Sequence, residues 1–417
     1  MSDPLRRWKT VALAEACEVV NGGTPKTREP ENWDGPHQWV TPAEMGNRIT
    51  PVISETARTL SDIGLESCSA KLIPADSVIM SSRAPIGHLV LNAVPMAFNQ
   101  GCKGIIPGEE VEQKYLYYFL YANVEMLNGL GTGATFKELS ATKLKAVSIP
   151  LPPLSEQRRI VSVLDAAFAG LATAEANTRQ NLTNTRELFE RAIGDSFAHL
   201  TDNERTPLGE IADFKNGLNY TQSSKGQSIR VVGVGDFGDN DIAPLDAAEY
   251  ATIDGELDDG YRLTKDDVVI VRSNGSKHLV GRCMLIPDID EATSFSGFVI
   301  RARVDRERLI PDYLLEYLKL ASTRDTLTRE GGGANISNIN QKKLSRLTIP
   351  VPEQAIQKQI VEQVQALKSK RAELVDTLER KLAALAALKQ SLLHRAFHGE
   401  LMSARSETAK SFAEVAG

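Results

Sequence analysis

Two long segments of the chain place apolar residues at the three- and four-residue steps of a helix. The first segment follows Pro153, and its apolar stripe is Ile160, Leu164, Leu171 and Leu188. The second follows Pro352, and its stripe is Ile360, Val364, Leu367, Leu374, Leu378, Leu385, Leu388 and Leu392. This spacing predicts two long amphipathic helices. Because each offers one apolar face, we predict that they pair with each other as an antiparallel coiled coil.

The segments before each helix have the shorter apolar runs of β-strands, separated by turn residues. Strands are predicted at 72–80, 89–94, 229–234 and 266–272, and short helices at 112–121 and 311–320. These patterns indicate a mixed α+β head before each long helix. The predicted fold class is therefore α+β, with two similar mixed α/β heads separated by two long helices.

The chain also repeats itself. Residues 131–161 align without a gap on residues 331–361, and 11 of the 31 aligned positions are identical. Upstream, LAEACEVVNGG from Leu13 matches LGEIADFKNGL from Leu208, and YLYYFL from Tyr115 matches YLLEYL from Tyr313. The chain is thus a pseudo-two-fold tandem repeat. The predicted segments are a first head at 1–152, a helix at 153–202, a second head at 203–352, a helix at 353–402 and a tail at 403–417.

Composition places the chain among ordinary globular proteins. It has 417 residues, of which 42% are hydrophobic and 24% are charged. No run approaches about 18 consecutive apolar residues, so we expect no membrane span and a cytoplasmic location. The formal net charge of −6 argues against a protein that holds DNA alone through a broad basic surface. Two local basic clusters offer part of an answer to that objection: Arg301, Arg303, Arg306 and Arg308, and Lys342, Lys343 and Arg346.

Known catalytic and metal-binding motifs are missing from the sequence. The segment from Gly233 to Gly238 matches the glycine-rich dinucleotide fingerprint, but acidic residues and Pro244 follow it where a helix is needed. His394 and His398 are four residues apart, yet no glutamate follows His394 as in zinc proteases. The four cysteines are widely spaced, which favours free thiols. We therefore predict no catalytic residue, no metal site and no cofactor in this chain.

The junctions between heads and helices carry a family resemblance. IPLPPLSEQRRIVSVLD, from Ile149, resembles the segment where a target recognition domain of a type I restriction-modification specificity subunit enters its first spacer helix. SLLHRAFHGEL, from Ser391, is similar to the end of the second spacer helix in that family. Further matches are NGGTP at Asn21, RAPIG at Arg83, FNQG at Phe98 and GGANIS at Gly332. The resemblance spans nearly the whole chain apart from about residues 403–417.

This resemblance implies a non-catalytic subunit that specifies DNA sequence. Each head would be a target recognition domain that reads one half of a bipartite double-stranded DNA site. The implied partners are two methyltransferase subunits and two restriction subunits. S-adenosylmethionine, ATP and Mg are then expected in those partners, not in this chain. The acidic charge matters less in such a complex, because partners can supply phosphate contacts while this chain supplies base readout.

Polar side chains on loops are the candidates for contact with DNA. Arg favours guanine, and Asn or Gln favours adenine. In the first head the candidates are Lys26, Arg28, Arg83 and Lys137. In the second head they are Tyr220, Lys225, Arg272, Asn274, Lys277 and Asn335.

Two other interpretations remain open at this point. The first is a coiled-coil scaffold or adaptor protein without DNA sequence readout, which the same tandem architecture would allow. The second is a self-contained methyltransferase, which the missing motifs disfavour.

Overall fold

The chain folds into two compact units. A computed structural model describes residues 8–48, 50–83, 85–133, 137–200, 205–221, 224–238, 241–276, 278–329 and 338–401. The first unit comprises Met1–Thr178 with Arg380–Gly417, and the second comprises Arg179–Glu379. Each unit therefore contains one head and a part of each long helix.

The first head contains ten strands and six short α-helices among its described residues. Its strands are β1 (Lys9–Ala12), β2 (Cys17–Asn21), β3 (Trp33–Val40), β4 (Val52–Ile53), β5 (Thr59–Leu60), β6 (Ser77–Ser82), β7 (Ile86–Asn92), β8 (Met96–Phe98), β9 (Cys102–Pro107) and β10 (Ser148–Leu151). Its helices are α1 (Leu13–Ala16), α2 (Pro42–Gly46), α3 (Asp62–Glu66), α4 (Gln113–Ala122), α5 (Val124–Leu130) and α6 (Ala141–Lys145). The long helix α7 follows at Leu154–Ala198.

The second head contains nine strands and three short α-helices among its described residues. Its strands are β11 (Arg205–Pro207), β12 (Ala212–Asn216), β13 (Ser228–Val232), β14 (Glu249–Thr252), β15 (Val268–Val271), β16 (Cys283–Leu285), β17 (Thr293–Phe295), β18 (Val299–Val304) and β19 (Thr348–Pro350). Its helices are α8 (Pro311–Lys319), α9 (Ala321–Arg329) and α10 (Gln341–Arg346). The long helix α11 follows at Gln354–Phe397.

The two heads share a strand topology, except that the main sheet of the first head has one further strand, β4, at its edge. In the first, the sheets have the orders β2-β9-β6-β7-β4 and β5-β3-β8, and β1 pairs with β10. In the second, the corresponding orders are β12-β18-β15-β16 and β14-β13-β17, and β11 pairs with β19. In each small sheet the central strand pairs antiparallel on one side and parallel on the other. The predicted mixed α/β heads with long helices, arranged as a tandem repeat, are confirmed.

The main strands begin later than the hydrophobic pattern predicted. β6 starts at Ser77 and not at Leu72, and β15 starts at Val268 and not at Asp266. Asp76 and Asp266 have φ angles of 63° and 69°, in the left-handed region that Asp tolerates better than most residues. The chain thus turns at these two aspartates before each strand enters its sheet.

Each main sheet has apolar residues on both faces. In the first head, Val78 and Met80 of β6 face a cluster that includes α4, whereas Ile79 belongs to a cluster with β3 and β8. In the second head, Val268 and Ile270 of β15 face α8, whereas the other β15 residues belong to the cluster with β17. This alternation is the period-2 pattern of a strand packed on both sides.

The long helices run antiparallel in the core of each unit. In the first unit, Ile160 and Leu164 near the start of α7 share a core with Leu393 and Phe397 at the end of α11. In the second unit, Ile193 and Phe197 near the end of α7 share a core with the start of α11. The residues that α11 contributes there are Ile360 and Val364.

The buried stripe differs in part from the predicted one. Of the predicted positions, those that are buried are Ile160, Leu164, Leu171, Ile360, Val364 and Leu378, and those half-buried are Leu367, Leu385 and Leu392. Leu188, Leu374 and Leu388 are 63%, 41% and 47% exposed, so their placement on the stripe is wrong. On α7 the buried positions instead pass through Thr178 and Thr185, seven residues apart, which apolar periodicity cannot reveal.

One helix has the length and composition of a membrane span. Within the described part of the chain this is α7 alone, and the count of consecutive apolar residues did not reveal it. Its Ile160 and Leu164 are buried in the first unit's core, and its Asp165 accepts hydrogen bonds from Lys114 and Tyr118. Packing on the first head thus accounts for Ile160 and Leu164, whereas only 17% of the most apolar window of α7 is buried.

A buried glutamine fastens each long helix to the head before it. Gln157 Oε1 accepts from the Glu112 N–H at 2.8 Å, and its amide group donates to the carbonyl oxygens of Glu110 and Pro152, each at 2.8 Å. Gln357 repeats these three bonds with Ile310, Arg308 and Pro352 at 2.7–2.9 Å. Gln157 and Gln357 are therefore identical in the sequence repeat because each makes the same three hydrogen bonds within its own unit.

Candidate nucleic-acid interface

In the first head, the strand registers bring four loops together at one edge of the main sheet. We call this the first loop edge and define it as residues 22–24, 82–83, 99–101 and 137–138. The Gly23 N–H donates to Phe98 O at 3.0 Å, and the Ser82 N–H donates to Gly101 O at 2.7 Å. The Leu139 N–H donates to Ser82 O at 2.8 Å, which attaches the fourth loop.

The second head repeats this arrangement. The second loop edge is defined as residues 217–220, 272–274, 296–298 and 338. The Leu218 N–H donates to Phe295 O at 2.8 Å, the Arg272 N–H donates to Phe298 O at 2.9 Å, and the Ile339 N–H donates to Arg272 O at 2.8 Å. These are the same three loop connections as in the first head, so the equivalent loops are placed by equivalent backbone bonds.

A glycine permits the close approach of two loops in each edge. A Cβ atom on Gly22 would lie 2.1 Å from Asn99 O, and one on Gly217 would lie 2.2 Å from Ser296 O. These distances are far below van der Waals contact, so any larger residue must displace the neighbouring backbone. The Asn-Gly pairs at 21–22 and 216–217 therefore serve loop packing.

The candidates of the first head fall into two groups. Arg83 lies in the first loop edge, and its Nε would be 3.0 Å from a Cβ atom on Gly101, so its side chain covers the FNQG turn. Lys137 is exposed in the same edge, beside the bridge between Arg83 and Glu138. Lys26 and Arg28 are exposed on the β2–β3 connection, where Lys26 forms an ion pair with Glu29 at 2.9 Å. The structure thus brings Arg83 and Lys137 together.

In the second head, Arg272 and Asn274 lie in the second loop edge together with Tyr220. Arg272 Nη1 is 3.5 Å from Gly297 O, whereas its Nε is buried with no hydrogen-bond partner among the described residues. Asn274 Oδ1 accepts from the Ser276 N–H at 2.8 Å. Lys225 is exposed, and its N–H donates to Asp254. Lys277 and Asn335, together with the GGANIS segment, lie outside the described residues.

Sequence reasoning missed a lysine beside the first loop edge. Lys103 on β9 is buried, and its neighbours include Arg83 and Glu138. Desolvation lowers the pKa of Lys103, although Glu138 pulls it upward. A lone lysine between Cys102 and Gly104 gives no motif, so only strand pairing identifies it.

The basic cluster from Arg301 to Arg308 does not answer the charge objection, which corrects the expectation from sequence. Arg301 pairs with Asp213 and Arg303 pairs with Asp267, each at 2.7 Å. Arg306 pairs with Asp266 at 3.0 Å, and Arg308 donates to the Glu210 carbonyl. Arg301, Arg303 and Arg306 therefore neutralise acids within the second head, so this cluster is not a free basic surface.

Groups with metal-binding or thiol chemistry are sparse in the described ranges. Among residues 8–401, with the gaps given above, the structure contains no cluster of three His, Cys, Asp or Glu side chains that could hold a metal ion. All four cysteines are free. Burial raises the pKa of Cys17 to about 11 and the pKa of both Cys102 and Cys283 to about 12, which suits packing and not nucleophilic chemistry.

Comparison with known proteins identifies the class of this fold. The family model described as "Type I restriction modification DNA specificity domain" matches residues 6–184 and 201–384. The chain therefore belongs to this family, carrying the domain twice. The resemblance to type I specificity subunits noted in the sequence is confirmed.

Individual relatives agree with the family model. The chain is 25% identical to the type I restriction enzyme StySPI specificity subunit of Salmonella potsdam, over 94% of this chain and 89% of that protein. It is 27% identical to the EcoKI specificity subunit of Escherichia coli K12, over 80% and 76%. It is 35% identical to the MjaIX specificity subunit of Methanocaldococcus jannaschii, but over only 38% of this chain and 37% of that protein.

Solved structures share the fold. A chain from a study of complex assembly and conformational transition of the type I R-M system has a TM-score of 0.75 at 21% identity, covering 94% of this chain and 98% of that one. The HsdS subunit from Thermoanaerobacter tengcongensis has a TM-score of 0.58 at 20% identity, covering 94% and 97%. At these identities the likeness concerns the fold alone.

Proposed function

We propose that this chain is the non-catalytic subunit that sets the DNA sequence of a type I restriction-modification complex. Each head reads one half of a bipartite double-stranded site through its loop edge. The observation that carries the proposal is the repeated loop edge. The same backbone connections are made at Ser82 in one head and at Arg272 in the other, so each loop edge contains an arginine, Arg83 or Arg272. Arginine is the side chain that most often makes specific contacts with guanine.

The partners follow from the same proposal. Two methyltransferase subunits and two restriction subunits would assemble with this chain in the cytoplasm, and no membrane takes part. The net charge of −6 suits such a complex, because partner subunits then supply most phosphate contacts.

We assign S-adenosylmethionine, ATP and Mg to the partners and catalysis to them as well. The glycine-rich segment at Gly233 supports this assignment. Residues Val234–Asp236 form a 3-10 turn, and the Gly233 N–H donates to the Asp236 carboxylate at 2.7 Å. An N–H already bonded to a carboxylate is a poor donor to a phosphate, so these residues do not fit a nucleotide.

Selection from random-sequence duplexes tests the proposal. The chain is assembled with its methyltransferase partner, bound duplexes are recovered, and the enriched sequences are read. We expect a bipartite motif with an unread spacer. A coiled-coil scaffold without base readout would enrich no motif, and that result would overturn the proposal.

Single substitutions assign each half-site to a head. Arg83→Ala should relax the specificity of one half-site, and Arg272→Ala should relax the other, with about a tenfold loss of affinity for the original site in each case. Arg179→Ala, an exposed arginine on α7, serves as the matched control and should leave both half-sites intact. Simultaneous change of both half-sites by one substitution would contradict separate readout.

A further inference from the structure

A large aromatic side chain is exposed in the second loop edge. Phe298 is 61% exposed in the turn between β17 and β18, next to Arg272. An exposed Phe on its own is ordinary on a protein surface. Its position beside Arg272, in the loop edge that also contains Tyr220, makes it a candidate for contact with bases.

The turn that carries Phe298 is held from both sides. The Gly297 N–H donates to Leu218 O at 2.7 Å, and the Arg272 N–H donates to Phe298 O at 2.9 Å. The Phe298 N–H also donates to Ser296 Oγ at 3.3 Å. The ring is therefore presented to solvent on a backbone whose position is set by two neighbouring loops, which limits the entropy lost when it meets a ligand.

The corresponding turn of the first head has a glycine in place of this ring. The loop connections make Gly101 the counterpart of Phe298, because Ser82 bonds to Gly101 as Arg272 bonds to Phe298. In the first loop edge, the Arg83 side chain lies over that glycine. At this turn the first head thus has a glycine under the Arg83 side chain, and the second head has an exposed phenylalanine beside Arg272.

From this difference we infer that Phe298 is a specificity-determining residue, whose ring contacts the 5-methyl group of a thymine in the half-site read by the second head. Apolar side chains distinguish thymine by its methyl group, which projects into the major groove. The first head has glycine at this position, so its corresponding turn has no side chain to make that contact. This inference rests on the proposed function and names thymine as one of the bases in the half-site that the second head reads.

The test compares the wild-type system with Phe298→Ala and Phe298→Gly in a host whose methylome is sequenced. We expect the half-site that Arg272→Ala affects to become degenerate at one thymine-containing base pair, and the other half-site to stay unchanged. Ile242→Ala is the matched control, since Ile242 is 55% exposed but lies beside Leu285, which pairs with the first residue of β15. Arg272 follows the last residue of that strand, so the control lies at the opposite end.

A second measurement isolates the methyl group. The purified complex with its methyltransferase is titrated with the cognate duplex and with a duplex that carries deoxyuridine in place of that thymine. Wild type should lose about tenfold in affinity on the deoxyuridine duplex. Phe298→Ala should bind both duplexes equally, at about the wild-type affinity for deoxyuridine.

Three results would overturn the inference. They are an unchanged motif in Phe298→Ala, wild-type affinity indifferent to the methyl group, and a loss of affinity for all sequences alike, which would indicate a ring wedged between base pairs. Failure of the wild-type complex to show any sequence preference would instead refute the proposed function. The melting temperatures of Phe298→Ala and Phe298→Gly are recorded alongside. A changed motif at an unchanged melting temperature shows that the change does not arise from misfolding.

Discussion

Gln157 on α7 accepts a hydrogen bond from the Glu112 N–H at the start of α4, with 2.8 Å between the two atoms. Glu112 in turn caps α4, because its carboxylate accepts from the Tyr115 N–H. Tyr115 closes the junction by donating to Pro150 O at 2.8 Å, and Tyr313 donates equivalently to Pro350 O at 2.9 Å. Each unit thus joins its head to its long helix by the same glutamine and tyrosine bonds. The carboxylate cap is specific to the first unit, because Ile310 stands at that position in the second.

Removal of the Gln157 side chain should therefore be costly. Gln157→Ala leaves one N–H and two carbonyl oxygens without these partners. We therefore expect the free energy of unfolding to fall by about 2–4 kcal/mol. Chemical denaturation with a probe in the first head measures this. Gln180→Ala, an exposed glutamine on the same helix, should change stability by less than about 0.5 kcal/mol. Equal effects of the two substitutions would contradict the bonding role.

Two leucines on α11, both predicted to face the partner helix, differ in burial and so test which face of the helix is buried. Leu378 is 8% exposed and Leu374 is 41% exposed. Leu378→Ala should destabilise the protein by about 2–4 kcal/mol, because it removes a buried side chain and leaves a cavity, whereas Leu374→Ala should cost less than about 1 kcal/mol. Thermal melting of both variants checks the difference. A larger shift for Leu374→Ala would mean that the stripe is misplaced.

The ion pairs of Lys368 predict that substitution of this lysine lowers stability by an amount that depends on pH. Lys368 Nζ lies 2.6 Å from Glu316 Oε1 and 2.8 Å from Asp241 Oδ2, and Glu316 is 1% exposed. Lys319 also pairs with Asp241, and Gln365 donates to Glu316. Burial raises the pKa of Glu316 even with Lys368 present, while the two lysines hold the pKa of Asp241 below its usual value against the effect of burial.

Lys368→Met should leave the buried Glu316 carboxylate without its lysine partner and so lower the free energy of unfolding. A carboxyl with a raised pKa binds more protons in the folded state than in the unfolded state, so its stability contribution is lost as pH rises above the ordinary Glu pKa. We expect a deficit of about 3 kcal/mol near pH 8 that shrinks toward about pH 5. Urea denaturation at both pH values measures it. Lys370→Met, which replaces an exposed lysine two residues further along α11, is the control. A stability deficit of Lys368→Met that does not change with pH would refute the assignment.

The two close-approach glycines predict separable effects on recognition. Gly22→Ala should displace the turn at Asn99 and weaken only the half-site of the first head, while Gly217→Ala should weaken only the other. Steric overlap of this size should also cost about 1–3 kcal/mol in stability. Methylome sequencing reads the first effect and thermal melting the second. Gly129→Ala, whose Cβ atom meets open space, should change neither.

The sequence alone indicated the tandem repeat, the mixed heads, the long helices and the family. The gapless match of 131–161 on 331–361 carried this conclusion, since it shows the repeat, and its glutamine, proline and isoleucine identities mark the junction between each head and its long helix. The loop motifs also nominated Arg83 and Arg272, because turns with Gly and Pro are readable without a structure.

The positions that faced the partner helix were harder to predict. Leucines at three- and four-residue steps fit more than one stripe on a long helix, and Leu188, Leu374 and Leu388 were placed on the wrong one. The buried face of α7 includes Thr178 and Thr185, whose burial depends on what packs against them. Apolar periodicity carries no signal for buried polar residues, so packing alone decided this face.

Tertiary structure also decided which charges are free and which loops meet. Arg301 and Arg303 are basic residues in a cluster by sequence, but their partners Asp213 and Asp267 lie 88 and 36 residues away in the chain. The loop edges likewise join segments that only the registers of β6 with β9 and of β15 with β18 bring together. Sequence patterns report local conformation well because it depends on neighbouring residues, whereas charge neutralisation and loop assembly depend on contacts between distant segments.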